Sequence, residues 1–118
     1  MKENNIILTK SFDFALRIVD LYKQLKNNNE YVISKQLLRC GTSIGANVEE
    51  ATAGQSKKDF ITKMAIASKE ARETKYWLRI IKESKIIDKD LKNYLSEVEE
   101  LIRILTSIVK TSQENLNK

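Results

Sequence analysis

The chain has 118 residues, of which 42% are hydrophobic and 31% charged, and 21 basic against 16 acidic residues give a net charge of +5. This length predicts one domain with one core, and the composition excludes a disordered tail and a helix of the roughly 20 apolar residues that span a membrane. With no histidine and one cysteine, catalytic histidine triads, HExxH metal sites and an internal disulfide are excluded.

The beginning of the chain, MKENNIILTKSF, has no apolar stretch of the kind that marks a secretory signal. The cytoplasm is therefore the expected location. A zinc site would have to consist almost wholly of carboxylates, which zinc rarely accepts. We expect no metal, no cofactor, no membrane contact and no enzymatic activity.

Four segments show the apolar period of helices, and none shows the alternation of a strand. In chain order, the predicted helices extend over approximately residues 11–28, 34–54, 57–85 and 89–111. The expected N-caps of the last three are Ser34, Ser56 and Asp88, and the polar end of the chain is expected to fray. Four helices with short connections predict an all-α fold, an antiparallel up-down-up-down four-helix bundle in a single domain of residues 1–118.

The first and fourth helices are apolar over more of their circumference than one core seam requires. The first has two rows, which are Phe14, Ile18, Leu21 and Leu25, and Phe12, Leu16 and Val19. The fourth also has two, which are Leu91, Leu95, Val98, Ile102, Leu105 and Val109, and Tyr94, Leu101, Ile104 and Ile108. Such wide apolar arcs indicate either a thick core or a subunit interface, and the pattern leaves both open.

All three glycines of the chain fall in residues 39–54, RCGTSIGANVEEATAG. Neither GxGxxG nor the spacing of a P-loop occurs there, and no strand precedes the window, so a phosphate-binding loop is not indicated. On a helix, Gly41 and Gly45 fall in the middle of the apolar face, where a missing side chain lets a neighbouring helix come close. We predict a packing role for both, and a C-terminal helix cap at Gly54.

The stretch from Ser34 to Leu78 strongly resembles the four-helix-bundle family of 23S ribosomal RNA intervening-sequence proteins. The matching pieces are QLLRCGTSIGANVEEA, SKKDF and ARETKYWL, and weaker matches extend over nearly the whole chain. Because similar proteins form barrel-shaped homopentamers, the resemblance implies a homopentamer. The accessory variability protein of diversity-generating retroelements looks like a relative and binds nucleic acid and a reverse transcriptase. The resemblance thus implies nucleic acid as a ligand, with RNA as the first candidate and DNA as the second, although this chain is only mildly basic.

The net positive charge lies in residues 57–92, which hold eleven basic and six acidic residues. In the remainder of the chain the numbers of basic and acidic residues are equal. Six basic residues of the third helix fall within about 140° on a helical wheel. They form what we call the basic stripe: Lys58, Lys69, Arg72, Lys75, Arg79 and Lys82. The stripe is either a solvated face or a surface that contacts nucleic-acid phosphates. Tyr76 and Trp77 are assigned to the apolar side, which predicts backbone contacts without base stacking.

Glu70 and Glu73 also fall on the apolar side of the third helix. A buried carboxylate requires a partner, and Arg39 and Asn47, at the border of the second helix's apolar face, are the expected partners. We interpret these four as structural polar residues. A general acid–base pair would need a nucleophile or a metal ligand, and none accompanies the carboxylates. Cys40 is interpreted as a small packing residue.

Two function classes remain open for a non-enzymatic bundle of this kind. One is an oligomeric, nucleic-acid-binding accessory module, and the other is an oligomeric scaffold that binds a protein partner. A titration against RNA and DNA at two salt concentrations separates them, because phosphate binding weakens steeply with salt.

Overall fold

Four long α-helices make up the computed structural model of the chain, which describes residues 2–117 and the side chains from Asn5 to Asn117. The helices are α1 (Lys2–Asn27), α2 (Ile33–Thr52), α3 (Lys57–Ser84) and α4 (Lys92–Leu116). No strand occurs in this range, which confirms the predicted all-α class. None of these helices has the length and apolar character that crossing a bilayer requires.

Each helix runs antiparallel to both of its neighbours. Between α3 and α4, Arg72 contacts Thr106, whereas Lys75, further along α3, contacts Glu99, which lies earlier in α4. The same reversal appears in the ion pairs that join α1 to α4, which are Lys10–Glu100 and Arg17–Glu97. The helices enclose the core in the cyclic order α1, α2, α3, α4, and within residues 2–117 close backbone approaches occur only between helices adjacent in this order. The predicted up-down-up-down bundle is therefore confirmed.

The apolar rows of α1 and α4 differ in how far they are buried. Both rows of α4 contribute to the core, whose α4 members are Tyr94, Val98, Leu101, Leu105 and Ile108. In α1, the row from Phe14 to Leu25 is buried, but Phe12 and Leu16 are 53% and 57% exposed. The wide arc of α4 thus reflects a thick core, whereas α1 presents apolar side chains to the outside.

Helix α1 begins at Lys2, well before the predicted start near Ser11. Ile7 is fully buried and lies one heptad before Phe14, so it continues the core row. The prediction stopped at Ser11 because a polar residue interrupts that row. Ser11 is nevertheless buried, and its hydroxyl donates a hydrogen bond to the Leu8 carbonyl at 3.3 Å within the helix.

Helix α2 is capped by Glu30, not by Ser34 as predicted. The Glu30 carboxylate accepts hydrogen bonds from the backbone N–H groups of Val32 at 3.0 Å, Ile33 at 3.1 Å and Ser34 at 2.6 Å. Ser34 lies inside the helix and is buried. Its hydroxyl donates to the Glu30 carbonyl at 2.9 Å. One carboxylate therefore satisfies three of the four N–H groups that a helix start leaves without partners.

Replacing Glu30 by alanine should lower the free energy of unfolding by about 1 kcal/mol, within the range of N-cap losses. Glu49→Ala is the matched control, since it removes the same charge from an exposed position of α2. Urea unfolding followed by circular dichroism measures both. Equal midpoints for the two variants would show that the Glu30 cap does not stabilise α2.

The remaining helix ends agree only in part with the sequence. Ser56 caps α3 as predicted, accepting the Asp59 N–H at 3.0 Å. Gly54 follows the end of α2 and its N–H donates to the Ala51 carbonyl at 3.1 Å, but its φ is not positive, so it lacks the left-handed conformation common in glycine caps. Helix α4 starts at Lys92, whose N–H donates to the Asp90 carboxylate, and not after Asp88. Its last turns continue to Leu116, beyond the predicted end near Thr111.

Candidate nucleic-acid interface

The basic stripe lies on the outer face of α3, along the edge that borders α4. All its members are exposed except Lys75, which is half-buried. Two members of the stripe contact α4 and so show which edge of α3 the stripe follows. The Arg72 guanidinium donates to the Thr106 hydroxyl at 3.2 Å, and the Lys75 ammonium lies 3.6 Å from the Glu99 carboxylate. The fold thus places all six residues on one side of the bundle.

Most members of the basic stripe have no carboxylate partner among the described side chains. Lys75 is paired with Glu99. Arg72 donates to a neutral hydroxyl and to no carboxylate among the described side chains. The other members pair with no carboxylate among the side chains described: these are Lys58, Lys69, Arg79 and Lys82. Five of the six cations can therefore attract an external anion.

Lys110 of α4 extends this surface and was not predicted from the sequence. It lines the groove between α3 and α4 together with Arg72 and Gln113. The prediction considered one helix at a time, and Lys110 reaches the groove through the pairing of two helices. Lys110 could have been identified by first assigning the apolar face of α4 and then pairing α4 antiparallel to α3.

Tyr76 lies on the outer face with the basic stripe, so its assignment to the apolar side was wrong. It follows Lys58 by about five full helical turns and thus points in the same direction. Its side chain is 52% exposed. Trp77 is half-buried and packs against the core, as predicted. The two rings meet edge to face, with centroids 5.3 Å apart and planes at 75°.

A polar cluster joins α2 to α3 next to this surface. The Arg39 guanidinium donates to Glu70 at 3.2 Å and also pairs with Glu73. The Trp77 indole N–H donates to the same Glu73 carboxylate at 3.4 Å. Asn47 does not reach either carboxylate; its amide donates to the Ser43 carbonyl of its own helix at 2.8 Å. Arg39 is therefore the partner of Glu70 and Glu73, and the expectation that Asn47 also bonds to these carboxylates was wrong.

The buried face of α2 places its small residues against α1 and α3. A β-carbon at Gly41 would lie 2.7 Å from Ile18 Cγ2, and one at Gly45 would lie 3.3 Å from the Ser11 carbonyl oxygen. Cys40 is fully buried, and burial raises the pKa of its thiol. Among the residues described, no cluster of three or more Cys, Asp or Glu side chains is arranged to hold a metal ion.

Comparison with known proteins places this architecture in a family. Residues 3–107 match the family model of the 23S rRNA-intervening sequence protein. A crystal structure from Bacteroides thetaiotaomicron VPI-5482 is 45% identical, with a TM-score of 0.87 over 92% of this chain and 98% of the other. That protein has unknown function and comes from the S23 ribosomal protein family. No protein in the curated set matches. The chain therefore belongs to the 23S rRNA-intervening sequence protein family.

Proposed function

We propose that this chain is a non-enzymatic, oligomeric accessory protein of the cytoplasm that binds nucleic acid through the basic stripe. RNA is the first candidate for that nucleic acid and DNA the second. The observation that carries the proposal is the row of five cations on the outer face of α3 that pair with no carboxylate among the side chains from Asn5 to Asn117. Phosphate groups are the natural counterions for such a row, because Lys and Arg supply most protein contacts to nucleic-acid backbones.

The dimensions of the basic stripe support several simultaneous phosphate contacts. From Lys58 to Lys82 the helix rises by about 36 Å at 1.5 Å per residue. Contacts of this kind carry no sequence information, so binding should be weak and tolerant of sequence. For a duplex, log affinity should fall against log salt concentration with a slope of about −0.9 per phosphate contacted. Copies of the stripe in an oligomer would multiply the number of phosphates bound.

Replacing Arg72 and Arg79 together by alanine should weaken binding about equally for all sequences. The salt slope should flatten by roughly one unit for each phosphate that the variant no longer binds. Both side chains are exposed, so thermal stability should change little. Fluorescence anisotropy with labelled RNA and DNA, at about 50 and 200 mM salt, measures the effect.

The matched control is the double variant Lys23→Ala and Lys26→Ala, which removes the same charge from exposed positions of α1. Helix α1 lies diagonally across the bundle from α3. The proposal requires this control to bind as the wild type does. If the Arg72 and Arg79 variant also binds as tightly as the wild type, the basic stripe is only a solvated face.

The scaffold function remains the second candidate because of the exposed apolar row of α1, where Phe12 and Leu16 are unpartnered in the single chain. Apolar rows of this kind favour protein contacts. Absence of any nucleic-acid binding, even at low salt, would leave the scaffold as the function that the surface supports.

A further inference from the structure

We propose that the nucleic acid is bound as a single strand, one of whose bases stacks on Tyr76. This inference rests on the proposed function and deepens it, because it names the form of nucleic acid and the side chain that selects it. A phosphate-contacting row alone accepts a duplex as readily as a single strand. An exposed aromatic ring within that row changes the preference, because only an unpaired base offers a free face for stacking.

The first argument is the position of the ring. Tyr76 lies on the same face as Arg72, four residues before it, and Arg79, three residues after it, and side chains at these spacings are neighbours on a helix. Lys69, one heptad before Tyr76, continues the row. A strand that follows these cations would place a nucleotide directly over the ring. Alternation of cations and aromatic rings is the arrangement of single-strand binding surfaces.

The second argument is the support beneath the ring. Trp77 contacts Tyr76 edge to face at 5.3 Å between centroids, and Trp77 is itself fixed by its hydrogen bond to Glu73 and by packing against the core. Because this contact restrains the Tyr76 ring before any ligand arrives, little side-chain entropy remains to be lost on stacking. The Glu73 carboxylate beside Tyr76 shares Arg39 with Glu70, so its repulsion of a phosphate is partly offset.

The third argument is the charge pattern along the face. Glu83 is the exposed carboxylate on this side of α3, and it lies a full heptad beyond Tyr76, near the end of the helix. The side chains three and four residues from Tyr76 are Arg72, Arg79, Ile80 and Glu73, of which Glu73 is paired with Arg39. A purely protein-binding aromatic would be expected within an apolar patch, whereas Tyr76 lies between two arginine side chains.

The test compares an oligouridylate of about 12 nucleotides, a length that such surfaces cover, with an RNA duplex of the same length. Tyr76→Leu keeps an apolar side chain but removes the ring, and Tyr76→Phe keeps the ring. Stacking predicts that Tyr76→Leu weakens single-strand binding by roughly 5- to 100-fold while Tyr76→Phe stays near the wild type. Duplex binding should be the same for all three proteins.

A second readout comes from Trp77, the only tryptophan of the chain. Because its ring contacts Tyr76, single-strand binding should change its fluorescence in the wild type and in Tyr76→Phe, but not in Tyr76→Leu. Equal loss of single-strand and duplex binding in Tyr76→Leu, together with a changed molecular mass, would assign Tyr76 to a subunit contact and overturn the inference. Unchanged binding of both ligands would refute stacking and leave the phosphate contacts intact. Absence of binding by the wild type would refute both proposals.

Discussion

Gly45→Leu should lower the free energy of unfolding by at least about 1–3 kcal/mol, the usual cost of overpacking a core. The β-carbon alone would lie 3.3 Å from the Ser11 carbonyl oxygen, and this neighbour is backbone of α1, which cannot rotate away. The remaining leucine carbons could be placed only if α1 and α2 separated. Separation would expose Ile18, which is fully buried and lies against Gly41 of α2. This cost exceeds the helix propensity of about 1 kcal/mol gained by replacing glycine.

Urea unfolding with a shared m-value gives the difference directly. Ala46→Leu is the control, since it adds leucine to the adjacent, exposed position of the same helix. Its unfolding midpoint should lie close to that of the wild type. If Gly45→Leu unfolds at the wild-type midpoint as well, the close approach of α1 and α2 at Gly45 is wrong.

The second large effect concerns molecular mass. We expect light scattering of the wild type at micromolar concentration to give five times the 13.6 kDa of one chain. The number five follows from the resemblance to pentameric relatives, and the exposed Phe12 and Leu16 supply a surface for association. Replacing both by lysine places charges in a contact that would exclude water, so the mass should fall towards that of a single chain.

The matched control is Tyr31→Lys with Val32→Lys, which exchanges two exposed apolar residues of the α1–α2 connection for lysine. This variant should retain the wild-type mass. A wild-type mass of 13.6 kDa would contradict the oligomer outright. A wild-type mass that survives the Phe12 and Leu16 substitutions would place the subunit contact elsewhere on the chain.

The four helices could be predicted because their apolar period extends over many turns, but their ends depend on contacts that a periodic pattern does not contain. The start of α1 was missed since Ser11, a polar residue, occupies a core position opposite Gly45. The start of α2 was misassigned because Glu30 reaches three N–H groups from outside the helix. Neither signal is visible in hydrophobicity alone.

The candidate site could be predicted as far as it lies on one helix. The members of the basic stripe share a face of α3, and the helical wheel shows this directly. The pairing of Lys75 with Glu99 and the contribution of Lys110 depend on the register between α3 and α4, which no single-helix pattern fixes. Tyr76 was misplaced although the wheel itself puts it in line with Lys58, so that error was avoidable.

The burial of Cys40 makes the thiol a reporter of conformational opening. Only an exposed thiolate attacks a thiol reagent, whereas the Cys40 sulfur is fully buried and burial raises its pKa. Modification must therefore wait until α2 separates from its neighbours. The rate of labelling in the folded protein thus measures how often the bundle opens at this point, without any engineered probe. Comparing that labelling rate with and without nucleic acid would show whether a ligand on α3 restrains the motion of the neighbouring helix α2.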